Sequence, residues 1–187
     1  MKLIMAVSGN GFVATGPNDD MSWTGPIDKA VFKLLTSTSD VLAVSSKSLE
    51  MMPENLPGRG KLYGLSTDPR KGVQLEDFAA LFPDAWLLGG QELALYAMKN
   101  GFVDRAYICR AIQTMLVVAG PNLFATDPSE DPPEDVEDTR VPDKLSDYFA
   151  RRRYAKGRGS WWDEVMRVKI DDLLVEVFER GSAVDNG

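Results

Sequence analysis

The sequence predicts an α/β protein whose sheet is mostly parallel and ends in an antiparallel hairpin. Short apolar runs recur along the chain, and segments with helical spacing separate several of them, which is typical of parallel strands joined by crossover helices. The last two runs, 165–170 and 173–179, flank Asp171-Asp172 and alternate apolar with polar residues, which predicts the hairpin. The chain has 187 residues, so we expect a single domain over residues 1–187.

The predicted strands before the hairpin are short apolar runs, as expected of strands covered on both faces. They are residues 3–8, 41–45, 61–66, 85–88 and 103–112. The predicted helices carry apolar residues three and four positions apart. They are residues 26–36, which begin at a proline, 76–82, and 91–100, which end before a glycine.

The stretch at about 125–160 interrupts this alternation and predicts a loop or insertion. Seven acids and three prolines lie within residues 127–138, and that composition cannot pack as a core element. Five basic residues follow within 151–158, close to Trp161 and Trp162. This basic cluster either binds phosphate or nucleic acid, or is a charged surface segment that compensates the acidic loop, which is the simpler interpretation.

The composition excludes several kinds of chemistry. The chain has no histidine and one cysteine, Cys109, which rules out histidine-based triads, histidine-containing zinc sites and an internal disulfide, and we expect no metal site. The net charge of −7 argues against nucleic-acid binding. No apolar run is long enough to cross a membrane, and a lone cysteine suits a reducing compartment, so we expect a cytoplasmic protein without a membrane partner.

The first chemically informative motif lies in the predicted helix 26–36. Asp28 and Phe32 are four residues apart and share a helix face. A carboxylate one turn from an aromatic ring can hold a flat, nitrogen-rich heterocycle, with the ring stacked and its N–H groups bound to the two oxygens. On these residues alone, Asp28 could equally be a charge that complements the helix N-terminus.

Two further motifs follow along the chain. Leu56-Pro57-Gly58-Arg59 is a turn that positions an arginine, which can fork onto a carboxylate or simply lie at the surface. Gly89-Gly90 follows an apolar strand and opens a helix, where backbone can approach a pyrophosphate and the helix N-terminus favours an anion. A glycine pair also occurs at such junctions for steric reasons alone.

In this order and at these separations, the three motifs resemble the dihydrofolate reductase family. The resemblance runs over residues 1–124 and the final hairpin, and its strongest parts are Trp23, Asp28, Phe32, the turn ending at Arg59, and Gly89-Gly90. It implies a mostly parallel sheet of eight strands with flanking helices. It also implies NADPH-dependent reduction of 7,8-dihydrofolate to tetrahydrofolate, in which C6 receives a hydride and N5 receives a proton. The implied protein is a monomer that binds dihydrofolate and antifolates.

The resemblance also implies roles for individual residues. Asp28 matches the acid of the pterin pocket, and Met21 and Trp23 match a mobile loop over the nicotinamide, so these three are the implied catalytic residues. The implied substrate-binding residues are Met5, Ala6, Asp28, Phe32, Met52, Leu56 and Arg59, the last on the carboxylate of the glutamate tail. The implied cofactor-binding residues are Val7, Ala14, Thr15, Ser46, Lys47, Ser48, Leu65, Ser66, Thr67, Leu88, Gly89, Gly90, Gln91, Glu92 and Leu93.

The chain departs from the family pattern at several positions. Ser45-Ser46-Lys47-Ser48 stands where the family has Gly-Arg-His/Lys-Thr, so the arginine toward the 2′-phosphate is missing. Lys47, with Arg70 or Lys71, is the remaining counter-charge, and we expect NADPH to be preferred over NADH by a reduced margin. Cys109 stands where a threonine usually supports the acid.

Two other functions remain open. The spacing from Gly89 to Asp104 is nearer to that of the reductase domain of riboflavin biosynthesis, which would make the protein a pyrimidinone reductase. A non-catalytic descendant that binds nucleotide or folate within a larger assembly is the third interpretation, with the acidic loop and the basic cluster as its partner surfaces.

Overall fold

The computed structural model describes residues 1–9, 13–14, 19–52, 56, 58–66, 68, 70, 72–111 and 162–181. The predicted acidic loop, the basic cluster at 151–158, Thr15, Thr67 and Lys71 lie outside the described residues. The prediction of a single domain over 1–187 therefore stays a prediction.

The described strands form one sheet in the order β3-β2-β4-β1-β5-β7-β6. The strands are β1 (Lys2–Val7), β2 (Val41–Ser45), β3 (Lys61–Leu65), β4 (Trp86–Leu87), β5 (Arg105–Ala111), β6 (Trp162–Ile170) and β7 (Leu173–Arg180). All pairings among the first five strands are parallel, whereas β7 is antiparallel to both β5 and β6. The predicted mostly parallel sheet with an antiparallel C-terminal hairpin is confirmed, with seven strands in the described residues where the resemblance implies eight.

In the described part of the chain, four α-helices and one short 3-10 helix connect the strands. They are the 3-10 helix Ser22–Thr24, α1 (Gly25–Thr36), α2 (Ser46–Leu49), α3 (Leu75–Leu81) and α4 (Gln91–Lys99). The sequence analysis did not predict α2. Its four residues are too short to show a hydrophobic period, and its start is fixed by a side chain, because the Ser45 hydroxyl accepts a hydrogen bond from the Ser48 N–H at 3.2 Å.

The helices cover both faces of the sheet, which explains the continuous apolar strands. Leu3, Met5 and Val7 of β1 belong to one buried cluster, together with α3 and α4 residues such as Phe78 and Met98. The other buried cluster contains Ile4, and the α1 side chains that pack against it are Ile27, Val31, Phe32 and Leu35. Side chains alternate between the faces of a strand, so β1 contributes to the core on both sides.

The C-terminal hairpin is longer than predicted. Its first strand begins at Trp162, paired with Arg180, rather than at residue 165, and its register shifts between Glu164 and Met166. This irregularity hides the alternation in the first part of β6 from a sequence pattern. Asp171, with φ 51°, forms the turn between β6 and β7. Among the described residues, no helix has the length and apolar character that crossing a membrane requires.

Candidate active site

The topology creates a crevice at the carboxyl ends of β1 and β4. These strands are neighbours, but the chain leaves β1 for α1 on one face of the sheet and leaves β4 for α4 on the other face. Such a divergence opens a cleft beyond the strand ends, where ligands bind in open α/β sheets. The described members of the predicted site lie on strands β1 and β3, on helices α1, α2 and α4, and on the segments between these elements.

Asp28 is a buried carboxylate in the first turn of α1. Its exposed fraction is 7%, and side-chain hydrogen bonds link it to Thr24 and Cys109. Burial raises the pKa of Asp28 above 3.8, and the hydrogen bonds from Thr24 and Cys109 oppose part of that rise. Complementing the helix N-terminus would not require burial, and the role of Asp28 in a ligand pocket stays a prediction.

Cys109 supports Asp28 from the neighbouring strand β5. It pairs in register with Ala6 of β1, and its side chain is buried. Burial is the largest of three causes that raise the pKa of Cys109 to about 12. The other two are the charge of Asp28 and the hydrogen bond to Asp28. At neutral pH Cys109 is therefore a thiol that donates to the carboxylate, and it is not a nucleophile.

The Arg59 side chain packs against the ring of Phe32, which lies one turn after Asp28 on α1. The Arg59 guanidinium carbon is 4.9 Å from the centroid of the Phe32 ring. The Arg59 Nε is buried without a hydrogen-bond partner among the described residues, and burial lowers the pKa of this side chain. Arg59 lies on a turn in which Gly58 has a φ of 73°. The backbone N–H of Arg59 donates to the Leu56 carbonyl at 3.1 Å and closes this turn. A buried donor of this kind is suited to an anionic ligand.

The segment before α1 is held by Asp19, a residue that the sequence analysis missed. One Asp19 oxygen accepts a hydrogen bond from the Met21 N–H at 2.6 Å, and the other accepts from the Trp23 Nε1–H at 2.9 Å. Met21 has φ 56°, an uncommon conformation for a side-chain-bearing residue. Aspartate bonding to an N–H two residues on is a turn signature that could have identified Asp19.

Asp19→Asn should loosen this segment. Asparagine has one carbonyl oxygen, so it cannot accept from Met21 and Trp23 at the two positions that the carboxylate serves. We expect the free energy of unfolding to fall by about 1–2 kcal/mol and acrylamide quenching of tryptophan fluorescence to rise. Asp20→Asn is the matched control, because exposed Asp20 accepts from the N–H and the side chain of the single exposed residue Ser22. Equal effects of the two substitutions would contradict the role given to Asp19.

Gly89 and Gly90 adopt backbone conformations that favour glycine. Their φ angles are 95° and 59°, and a Cβ on Gly90 would lie 2.6 Å from the Ser45 Oγ. A Cβ on Gly89 would meet Met5 at ordinary contact distance, 3.6 Å from its Cγ. The Ser45 N–H donates to the Gly89 carbonyl at 3.3 Å, so the glycine pair is packed against the end of β2. The N-terminus of α4 begins here, with Gln91 and Glu92 in its first turn.

The loops after β2 and β3 continue the same edge. The Ser48 hydroxyl is 2.8 Å from the Ser45 hydroxyl, Ser46 is half-buried and Lys47 is exposed. At the end of β3, Leu65 is buried, and the Ser66 carbonyl accepts from the Gln74 side-chain amide at 2.7 Å. Arg70, expected as a free counter-charge, instead forms an ion pair with Asp68.

The predicted residues thus separate into two groups on the two faces of the sheet. Asp28, Phe32, Leu56 and Leu88 lie on the α1 face, with Arg59 stacked on Phe32. Met5, implied as a substrate residue, packs on the α4 face beneath Gly89 and is not brought next to Asp28. Val7, Leu65 and Leu93 belong to the same α4-face cluster. Ala6, Ala14 and Met52 are half-buried. The described residues contain no cluster of three or more metal-ligating side chains.

Comparison with known proteins places the fold but not the activity. No protein-family profile and no curated protein sequence matches the chain. Among solved structures, the chain is similar to a protein from Shewanella sp. PV-4 described as a riboflavin biosynthesis protein, with a TM-score of 0.59 and 16% identity over 97% of this chain and 98% of that one. It is also similar to dihydrofolate reductase from Enterococcus faecalis complexed with NADP(H) and RAB-propyl, with a TM-score of 0.57 and 16% identity over 97% of this chain and 96% of that one. At this identity the likeness establishes the fold alone, and the chain has the dihydrofolate reductase-like fold.

Proposed function

We propose that the protein is a reductase that uses NADPH to convert 7,8-dihydrofolate to tetrahydrofolate. The observation that carries the proposal is the buried Asp28, supported by Thr24 and Cys109 and followed one turn later by Phe32. A reductase with the dihydrofolate reductase-like fold is plausible on the structural likeness as well. We further propose a cytoplasmic monomer that binds dihydrofolate and antifolates.

Asp28 would bind and orient the pterin ring. Its two oxygens can accept from the ring N3–H and from the 2-amino group, while Phe32 packs on the ring. A carboxyl group with an ordinary pKa near 4 is a poor acid at neutral pH, and burial shifts Asp28 toward holding a proton. Cys109 and Thr24 limit that shift, so the site can both bind N–H groups as a carboxylate and favour protonation of N5.

Gly89, Gly90 and the N-terminus of α4 are the residues suited to hold the cofactor pyrophosphate. The backbone at Gly90 leaves no room for a Cβ. Gly90 directly precedes α4, whose first backbone N–H groups have no acceptor within the helix and suit an anion. NADPH supplies the hydride when bound. Met21 and Trp23, on the segment held by Asp19, would close the pocket and exclude water.

The experiment that tests the proposal follows the loss of NADPH absorbance with dihydrofolate as the substrate. Oxidation that depends on both reactants, and that is blocked by methotrexate, is the expected result. A protein that binds methotrexate and NADPH without any turnover would instead be the non-catalytic descendant.

A pyrimidinone reductase of riboflavin biosynthesis is the second candidate. The spacing from the glycine pair to Asp104 and the likeness to the Shewanella protein favour it. A pyrimidinone is also a flat ring with N–H groups that Asp28 could bind. NADPH oxidation with the ribosylaminopyrimidinone substrate, and none with dihydrofolate, would establish this function in place of the first.

Arg59→Ala should weaken the binding of inhibitors that carry a glutamate tail and spare those that lack one. The half-buried Arg59, whose Nε is buried, is proposed to bind the carboxylate of the glutamate tail, which methotrexate carries and trimethoprim lacks. A charge-assisted contact contributes about 1.5–3 kcal/mol, so methotrexate should bind roughly 10- to 100-fold more weakly, with little change for trimethoprim. Arg105→Ala is the control, because Arg105 forms an exposed ion pair with Glu179 on β7. Equal losses for the two inhibitors would place Arg59 outside the tail site.

A further inference from the structure

The end of β1 that borders the crevice is held mainly from one side. β1 pairs with β5 along its whole length, from Lys2 to Val7, whereas it pairs with β4 only at Lys2 and Leu3. Beyond Leu3, β5 is the only described strand in register with β1. Val7, a proposed cofactor residue, is the last residue of this pairing and lies opposite Arg110. The position of the strand end therefore depends on β5 and on whatever fixes its last residues.

Arg110 contacts the chain one residue beyond the paired part of β1. Its Nη1 donates to the Ser8 carbonyl at 3.5 Å, and its Nε donates to Glu176 Oε2 at 3.1 Å. Ser8 is fully buried, and a buried backbone carbonyl needs a donor. One planar guanidinium thus joins the end of β1 to β7 across β5, and its fixed fork sets the direction of both contacts.

Glu176 is a buried carboxylate that the proposed reaction does not use. It is 6% exposed, and each of its oxygens accepts from a different arginine, because Oε1 accepts from Arg167 Nη2 at 3.0 Å. The same Arg167 nitrogen also donates to Glu164 at 2.8 Å. Arg110, Glu176, Arg167 and Glu164 therefore alternate in charge across β5, β7 and β6, and we call these four residues the charged row.

The charged row lies on the same face of the sheet as the proposed cofactor residues. Glu176 is in register with Ile108, which belongs to the buried cluster on the α4 face, and with Arg167 on its other side. Arg110 is two residues after Ile108 on β5, so its side chain leaves the strand on that face as well. Val7 belongs to the same cluster. Asp28 lies on the opposite face, among the residues that α1 covers.

Stability alone gives little reason for this row. A buried ion pair is often no more stabilising than apolar side chains of the same volume, because desolvation offsets the attraction between the charges. A row of alternating charges does fix distances and directions, since each partner is held from two sides. Its outer end is half-exposed Arg167, and its inner end is the contact between Arg110 and Ser8.

We propose that Arg110 is a positioning residue for the nicotinamide cofactor. Held by Glu176 and Arg167, it fixes the end of β1, where Val7 is proposed to meet the cofactor. This inference rests on the proposed binding of NADPH, and it gives the C-terminal hairpin a part in that binding. Because the row acts on the α4 face, the binding of a pterin ring at Asp28 should change little when the row is broken.

The test compares the binding of two ligands by calorimetry in Arg110→Gln. Glutamine is shorter and uncharged, so it cannot bridge Glu176 and the Ser8 carbonyl. We expect NADPH to bind about tenfold more weakly, and methotrexate to keep its affinity within about twofold. In turnover, KM for NADPH should rise more than kcat falls, since the loss is mainly one of cofactor binding. A proportional loss of both ligands would show a merely structural role and overturn the inference.

Arg167→Gln breaks the row at its exposed outer end. β6 is three strand spacings from β1, a distance of about 14 Å, so this variant does not touch the cofactor site directly. We expect NADPH to bind about threefold more weakly, with no further loss when Arg167→Gln is added to Arg110→Gln. If Arg110→Gln does not fold, Arg167→Gln alone decides the question by the same comparison of NADPH with methotrexate.

Arg105→Gln is the matched control. Arg105 lies at the other end of β5 and forms an exposed ion pair with Glu179 of β7, so its loss removes the same charge from the same pair of strands. NADPH binding should not change in this variant. A loss equal to that of Arg110→Gln would make the effect one of net charge and overturn the inference.

Two results separate the inference from the proposed function. Unchanged NADPH binding in Arg110→Gln and Arg167→Gln, with turnover by the wild type, overturns the inference and leaves the reductase intact. If the wild-type protein does not bind NADPH, both the inference and the proposed function fail.

Discussion

Asp28→Asn should remove most of the activity and leave the protein folded. Asparagine keeps the shape of the side chain but cannot hold the ring N–H groups as an anion or favour protonation of N5. Positioned acid–base groups contribute about 10²- to 10⁴-fold, so we expect kcat with dihydrofolate to fall at least 100-fold at pH 7. Asp77→Asn, an exposed change of the same kind, should retain wild-type turnover. Wild-type turnover in Asp28→Asn would show that Asp28 has no part in the reaction.

The same substitution should make the protein more stable at neutral pH. The pKa of Asp28 is raised on folding, so the folded state binds this proton more tightly than the unfolded state does. That contribution to stability is complete below the unfolded pKa of 3.8 and is lost as the pH rises through the raised folded pKa. At pH 7 the wild type therefore holds an unfavourable buried charge that asparagine lacks.

Thermal melts across pH measure this effect directly. The Tm of Asp28→Asn minus that of the wild type should be small at pH 3.5 and should increase with pH, by about 2–4 °C for each kcal/mol of relieved cost. A difference that does not depend on pH would mean that burial does not raise the pKa of Asp28.

Gly90→Ala should have the second large effect, on both stability and nucleotide binding. The new Cβ would lie 2.6 Å from the Ser45 Oγ and 2.8 Å from its Cβ, on a residue with φ 59°. Steric overlap and backbone strain together should lower the free energy of unfolding by about 2–5 kcal/mol. Displacing Ser45 would also disturb the cap of α2 and the backbone approach beside α4, so we expect NADPH affinity to fall strongly.

Two companion variants separate the causes. Gly89→Ala introduces backbone strain at φ 95° but meets Met5 only at ordinary contact distance, so it should be the milder change. Adding Ser45→Gly to Gly90→Ala removes the atoms that clash, so the double variant should be more stable than the sum of the two single effects, which includes the lost cap of α2, would give. Chemical denaturation of the single and double variants measures both effects. No recovery in the double variant would mean that the backbone conformation of Gly90, and not Ser45, forbids a side chain.

Elements with a hydrophobic period could be predicted from the sequence, whereas features that depend on local hydrogen bonds could not. The parallel strands and α1 followed from apolar spacing, which reports burial on both faces of the sheet. The short helix α2 depends on one serine cap, and the loop before α1 depends on the Asp19 carboxylate, so neither has a periodic signal. The end of β4 was predicted too late because Gly89, with φ 95°, turns the chain directly after Leu88.

The site shows the same division. The spacing of Asp28 and Phe32 predicted a shared helix face, and the expectation that burial beside Phe32 and Ile27 raises the pKa of Asp28 is confirmed. The contact with Cys109 was implied only by the resemblance, because it joins residues that are distant in sequence and requires the register of β5 beside β1. The ion pair of Asp68 with Arg70 could not be predicted, because it joins two residues of an irregular loop that has no periodic pattern.

The place of β1 in the sheet bears on how the chain folds during synthesis. β1 precedes every other described strand, yet its neighbours are β4 and β5, with Lys2 opposite both Trp86 and Arg105. During translation β1 therefore has no partner strand until more than eighty further residues have left the ribosome. Contacts of such long range slow folding and expose unpaired strands to aggregation. Since the candidate site is built at the end of β1 and includes Cys109 of β5, it cannot form before all five parallel strands have been synthesised.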